Sequence, residues 1–170
     1  MNMPRPLLVL AVVSLLAACA APPPPVPAAP PAGDQTAWET AQAAHLAWNG
    51  ERRGWTTTAS GLQYRRVGAA NPNGAQPSGA DVVVVHYRGT FIDGREFDSS
   101  YSRNEPAEFP LNRVIRGWTE GVGLMRAGET FEFVIPAELA YGPRGAGGGE
   151  IPPNSALRFT VELLEVKPAG

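Results

Sequence analysis

"DVVVVHYRGTFIDGREFDSS", Asp81 to Ser100, fixes the class of structure. Val82 to Val85 are four β-branched residues in a row, stiff at χ1 and suited to a pleated sheet. The apolar character persists to Ile92, where Asp93-Gly94 gives a strong hairpin-turn signal. "REFDSS", Arg95 to Ser100, then runs back, so the segment reads as one antiparallel hairpin. Successive side chains on a strand point to opposite faces, which separates His86 from Tyr87. Tyr87 is assigned to the interior and His86 to a structural or surface role.

The same alternation appears on both sides of this hairpin. "GLQYRRV" (Gly61 to Val67) reads as a first strand and "NPNGAQPSGA" (Asn71 to Ala80) as turns. After a loop, "YSRNEPA" (Tyr101 to Ala107), a short strand "EFPL" (Glu108 to Leu111) is broken by Pro110. A short helix is predicted from Trp118 to Met125, closed by Ala127-Gly128. "ETFEFVIP" (Glu129 to Pro136) alternates, "YGPRGAGGGEIPPN" (Tyr141 to Asn154) is a long Gly/Pro loop, and "ALRFTVELLEV" (Ala156 to Val166) is the last strand. Val82 to Val85, Leu124, Phe131 and Phe133 are the expected core or sheet residues. Several antiparallel strands with one helix between them give an α+β domain over residues 60–167.

Upstream the pattern is different. Arg5 precedes an apolar run, Leu7 to Ala18, that is too short to span a bilayer comfortably and right for a secretory leader. The run ends in Leu16-Ala17-Ala18-Cys19, which resembles a bacterial lipoprotein signal: a signal peptide over 1–18 and acylation at Cys19. Such an anchor would place the chain in the bacterial envelope, facing the periplasm, and Ala20 after the Cys favours the outer membrane by the same resemblance. Residues 19–33 form a Pro-rich linker. Residues 34–59 are a helix and a lead-in, with Asp34 as N-cap and Asn49-Gly50 as stop. Trp38, Ala41, His45 and Trp48 recur at helical spacing. That stripe either packs on the following domain or offers a homodimer contact through residues 34–50.

Composition removes other classes. Of 170 residues, 19 are Gly and 18 Pro, which argues against a helical bundle. The formal charge of −2 gives no reason to expect nucleic acid. One Cys excludes an intrachain disulfide and a thiolate cluster, and two separated His residues do not make a zinc site. No metal and no organic cofactor is implied.

"VHYRGTFIDGREFDSS", "EFPLNRVIRGWTEGVGLM", "IPAELAYG" and "IPPNSALRFTVELLEV" occur in this order and together resemble the FKBP-type peptidyl-prolyl cis-trans isomerases. "LAWNGERRGWTTTASGLQY" (Leu46 to Tyr64) is similar to the lead-in of the macrophage infectivity potentiator subgroup, a secreted group whose longer members carry a dimerising helix. The resemblance implies an FKBP-like curved antiparallel sheet wrapped around one short α-helix, preceded by an N-terminal helix. It implies a pocket with Trp118 as floor and Tyr87, Phe97, Phe109 and Phe159 as aromatic walls. Val114 and Ile115 stand at the edge, with the Ile115 N–H a donor to a substrate carbonyl. Asp98 is the acid, with Arg103 and Tyr87 in reach; Tyr141 supplies a loop hydroxyl and Ile151 a contact from the flap. Ala107 stands where human members often have an aromatic, and the flap, Gly142 to Pro153, is unusually Gly-rich. The partners implied are X-Pro-containing polypeptides, rapamycin-type macrolide inhibitors and, through the anchor, a membrane.

The expected chemistry needs few groups. A peptide bond rotates over a barrier of roughly 18–20 kcal/mol, and an X-Pro bond populates both isomers with slow exchange. A water-excluding apolar pocket disfavours the planar polar amide more than the twisted one, without covalent chemistry. Two readings stay beside that of an isomerase: a module that binds Pro-containing segments without turnover, and a structural envelope lipoprotein.

Overall fold

A computed structural model describes residues 21–28, 30 and 34–169. The leader and Cys19 lie outside the described residues. Helix α1 (Gln35–Gly50) is followed by strands β1 (Thr56–Thr57), β2 (Gln63–Val67), β3 (Val82–Phe91), β4 (Glu96–Ser99) and β5 (Ala107–Pro110). Helix α2 (Arg116–Gly123), β6 (Thr130–Ile135) and β7 (Leu157–Lys167) complete the chain. The strands form one antiparallel sheet in the order β1-β2-β6-β7-β3-β4. β5 pairs with the first half of β3, on Val82 to Val85, while β4 pairs with its second half.

The expected hairpin closes through a three-residue loop. Phe91 N–H donates to Arg95 O at 2.8 Å and Gly94 N–H to Phe91 O at 3.0 Å. Gly94 has φ +94°, which only glycine adopts without strain. Alternation along β3 holds from Val82 to Gly89: Val83, Val85 and Tyr87 are buried, whereas Val82, Val84 and His86 are half-buried; at the far end Thr90 and Phe91 are both buried. His86 lies against Tyr101 and Ser100, away from the interior face, as the strand period requires.

The core lies between the sheet and α2, where Leu62, Val122, Met125, Phe133, Ile135, Leu157, Val161 and Leu163 are sealed from solvent. α2 approaches β6 closely through two glycines one turn apart. A Cβ on Gly117 would stand 2.4 Å from Ile135 Cγ2, and one on Gly121 would stand 2.6 Å from Phe133 Cε1. The helix starts at Arg116 and ends at Gly123, two residues earlier at each end than the sequence pattern suggests. Leu124 therefore falls at the C-cap and is 41% exposed, a correction to its assignment as core; Met125 takes the buried position. The first strand likewise starts at Gln63 rather than Gly61, and β1 extends the sheet into the lead-in.

α1 begins as expected, with Asp34 Oδ1 accepting from Ala37 N–H at 2.9 Å. Its buried stripe is Trp38, Gln42, His45 and Asn49, not Trp38, Ala41, His45 and Trp48. The rotation has a reason in hydrogen bonding. Trp38 Nε1 donates to Pro153 O (3.0 Å), Gln42 Oε1 accepts from Ala156 N–H (3.0 Å), and Asn49 Nδ2 donates to Gln63 Oε1 (2.8 Å). The helix thus packs on its own domain, and a second copy could meet only its outward side.

Two outcomes test this packing. Gly121→Ala gains up to about 1 kcal/mol of helix propensity but drives a methyl into a fully buried ring, an overpacking cost of about 1–3 kcal/mol. Urea unfolding should show a net loss of about 1–2 kcal/mol. His45 is buried against Trp48, and burial, then the charges of Arg158 and Arg52, hold its pKa below the ordinary value. A depressed His pKa means docking is strongest above about pH 6.5 and weakens as pH falls. Amide protection factors across α1 should fall between pH 7.5 and 5.5, and His45→Phe should remove that dependence.

Candidate active site

A cavity of about 320 Å³ opens between the sheet and the start of α2. β3 contributes Tyr87, β4 Phe97 and Asp98, β5 Phe109, α2 Trp118 and β7 Phe159. Arg113, Val114 and Ile115 line it from the turn entering α2, and Tyr141 from the following loop. The size suits a small-ligand pocket, and most of its lining is aromatic or aliphatic.

Trp118 is buried and is gripped by ring edges. Its centroid lies 5.3 Å from Tyr87, 5.6 Å from Phe109 and 5.4 Å from Phe159, with interplanar angles of 83–90°. Such edge-to-face pairs add about 0.5–1.5 kcal/mol each beyond burial. Its Nε1 is buried with no partner among the described residues, so packing alone holds the indole. Phe159 meets Phe97 edge to face at 5.6 Å. Gly89 makes room for both rings, since a Cβ there would stand 2.7 Å from Phe97 Cζ and 2.9 Å from Phe159 Cε1.

Phe97 and Asp98 are neighbours in sequence, and a regular strand would turn them to opposite faces. Gly89 is opposite Asp98 but Thr90 is opposite Glu96, so Phe97 is the extra residue of a β-bulge. The bulge re-aims the strand and lets both side chains line one cavity.

Asp98 anchors a closed polar set. Tyr87 OH donates to Asp98 Oδ2 at 2.5 Å, Arg103 Nη1 donates to Asp98 Oδ1 at 2.6 Å, and Arg103 Nη2 donates to Tyr87 OH at 2.9 Å. Burial alone would raise the Asp98 pKa, but these bonds and the guanidinium charge outweigh it and hold the carboxyl below the ordinary range. Burial and the hydrogen bond to Asp98 push the Tyr87 phenol up. The Tyr87 hydroxyl thus spends its proton on Asp98 and accepts from Arg103, so its ring faces the cavity with its polar end committed. Ser100, fully buried, fixes the Tyr87 backbone: Ser100 Oγ accepts from Tyr87 N–H (2.8 Å) and Ser100 N–H donates to Tyr87 O (3.0 Å). Tyr141 is 39% exposed, and burial, then the Asp98 charge, raises its pKa, which keeps its hydroxyl protonated.

Of the residues named from the sequence, nine line the cavity: Tyr87, Phe97, Asp98, Phe109, Val114, Ile115, Trp118, Tyr141 and Phe159. Arg103 acts from outside it through Asp98 and Tyr87. Ile151 stands apart from these nine. It is buried in the core and pairs with Ala146 through two backbone bonds (3.0 and 3.1 Å), and it does not line the cavity. It follows two short 3₁₀ turns, Gly142–Arg144 and Gly147–Gly149. Arg113 and Ser100 had no signal of their own in the sequence, although Arg113 directly precedes the Val114-Ile115 pair.

Comparison with known proteins agrees with this geometry. Residues 74–164 match the family model described as FKBP-type peptidyl-prolyl cis-trans isomerase. The chain is 53% identical over 129 residues to the "FKBP-type peptidyl-prolyl cis-trans isomerase FkpA" of Aeromonas hydrophila, covering 74% of this chain and 46% of that protein. It is 47% identical over 127 residues to the "Outer membrane protein MIP" of Legionella longbeachae, covering 75% of this chain and 53% of that protein. The crystal structure of FkpA from Escherichia coli superposes with a TM-score of 0.73 at 48% identity, over 78% of this chain and 60% of that one. The chain spans about half the length of the curated relatives it matches.

The polar set makes a titration prediction. The depressed Asp98 pKa contributes stability that is complete above about pH 3.9 and is lost as pH falls through the folded-state value. Carboxyl NMR should place the Asp98 midpoint below about 3.9. Tyr87→Phe and Arg103→Gln each remove a donor to the ionised form and should each raise it.

Proposed function

The chain belongs to the family of FKBP-type peptidyl-prolyl cis-trans isomerases, and on that premise we propose that it accelerates cis-trans isomerisation of X-Pro bonds in envelope or secreted proteins. The observation that carries the reading is Trp118 at the floor of an aromatic cavity whose one carboxylate is already neutralised by Arg103. That arrangement suits a reaction in which no bond breaks and no proton moves.

In this reading the proline ring sits on Trp118 among Tyr87, Phe97, Phe109 and Phe159. Removing water from the X-Pro amide disfavours its planar, charge-separated form, and the walls accept the twisted form. The Ile115 N–H donates to no acceptor among the described residues and is the donor for a substrate carbonyl. That carbonyl is not the rotating one. A twisted amide carries less negative charge on oxygen, so a donor on it would stabilise the ground state and slow the reaction. Holding the proline's own carbonyl instead anchors one side of the bond while the other turns. Tyr141 offers its hydroxyl from the loop, and Asp98 and Arg103 hold Tyr87 in place. A lowering of about 7–8 kcal/mol would give five to six decades in rate.

Location belongs to the same proposal. The signal-like Leu16-Ala17-Ala18-Cys19 and the name of the Legionella relative support a periplasm-facing lipoprotein, anchored through Cys19 to the outer membrane by way of the 19–33 linker. The isomerase domain is residues 60–167, carried on the α1 lead-in.

Exchange NMR on a Leu-Pro peptide tests the function. Catalysis that a rapamycin-type macrolide abolishes is the expected result, with Tyr87→Phe reducing kcat/KM by about 5- to 10-fold, or about 1–1.4 kcal/mol. A folded chain that binds the macrolide yet leaves the exchange rate unchanged would make it a module that holds Pro-containing segments instead.

A further inference from the structure

We propose that Arg113 makes the pocket select proline segments that carry a carboxylate within two residues of the proline; this rests on the isomerase reading of the same site. Three charged side chains stand at the cavity or bear on it: Asp98, Arg103 and Arg113. The first two cancel. Arg103 bonds Asp98 and Tyr87, with its charge set against the carboxylate at 2.6 Å. Arg113 also lines the cavity, is exposed, and forms no ion pair or side-chain hydrogen bond among the described residues. It is the one lining group with a full charge that no neighbour there offsets, so the cavity mouth is net positive.

Its place in the chain sets the range. Arg113 ends a 3₁₀ turn, Leu111–Arg113, two residues before Ile115, whose N–H is the proposed anchor for substrate. An extended peptide rises about 3.3 Å per residue. A guanidinium so close to the anchor therefore reaches side chains within about two residues of the bound proline, and not farther ones. Its planar fork matches a carboxylate in two parallel hydrogen bonds. A lysine in the same substrate position meets like charge. Neither effect needs the proline ring, so the aromatic walls govern binding of proline and Arg113 governs which prolines are favoured.

The size follows from exposure. A solvent-facing ion pair contributes modestly, which corresponds to about a five-fold preference in kcat/KM for Glu over Lys at the responsive position. The preference is electrostatic and should shrink towards one in 1 M salt.

The experiment measures exchange rates for Pro peptides with Glu, Gln or Lys at each of the two positions on either side of the proline, using the full chain after the leader. Peptide affinities are measured in parallel by NMR shift titration. The quantity read is the Glu-to-Lys ratio within each protein, which is independent of how a variant changes the overall rate. We expect a ratio of about five in the wild type at one position, near one in Arg113→Gln, and inverted in Arg113→Glu. If no peptide is isomerised, a Glu preference in affinity that Arg113→Glu inverts still upholds the inference, while the isomerase reading fails. A wild-type ratio of one at every position, in rate and in affinity, overturns it. So does a preference that survives Arg113→Glu, since another group would then carry it.

Discussion

The close approach of α2 to β6 is the constraint on which the pocket depends. Gly117 and Gly121 lie against Ile135 and Phe133 with no room for a methyl at either position. A helix held at that depth places Trp118, next to Gly117, at the bottom of the space under β3 and β7. The three rings around it then stand at near right angles to it, from three separate strands. A helix lifted by one side-chain layer would leave the indole among solvent and the walls without a floor. The glycines thus sacrifice helix propensity, about 1 kcal/mol each, for a position that no larger residue permits.

A second constraint works on the polar groups. An apolar cavity next to a carboxylate is costly unless the charge is paired and its lone pairs are used. Here Asp98 is half exposed, takes bonds from Tyr87 and Arg103, and stays ionised. The bulge at Phe97 brings that carboxylate and an aromatic wall to the same side of β4. The result is a wall that is fixed in orientation and inert to protons in the neutral range. Such a site is poorly suited to acid–base catalysis and well suited to changing the shape of a bound chain.

The antiparallel fold was legible because alternation survives along the strands that build the core. Val83, Val85 and Tyr87 turned inward as the period of two requires, and Asp93-Gly94 marked the hairpin. The pocket residues were legible only as a set. Trp118, Phe97 or Phe159 alone would be read as core. Where the chain leaves regular structure the reading failed. Leu124 looks like core until the helix is seen to stop at Gly123. No periodicity describes a bulge, so nothing in "EFDSS" shows that Phe97 and Asp98 share a cavity. On α1 the apolar residues at helical spacing suggested one stripe, but the buried one includes Gln42 and Asn49, chosen by hydrogen bonds that exist only once the domain is folded.

Those bonds give α1 a mechanical place in the site. The C-terminal end of α1 is tied to Gln63 of β2, and the partners of its first half are clustered where the long loop returns to the sheet: Trp38 holds Pro153 O, Glu39 Oε1 accepts from Asn154 Nδ2 at 2.6 Å, and Gln42 holds Ala156 N–H. Two residues before Pro153 is Ile151, which pins the loop to the core, and three residues after Ala156 is Phe159, a pocket wall. The five glycines of that loop, Gly142, Gly145, Gly147, Gly148 and Gly149, all sit at positive φ and leave its backbone with little local preference of its own. A segment so permissive needs its ends fixed from outside. The core fixes it at Ile151, and α1 fixes it from Pro153 to Ala156. The contacts combine one fully buried indole, Trp38, with hydrogen bonds of specific geometry, and the hydrogen bonds define position more than they add stability. A lead-in helix docked in this way is a brace for the far leg of the loop, and through Phe159 it bears on the wall that touches Trp118.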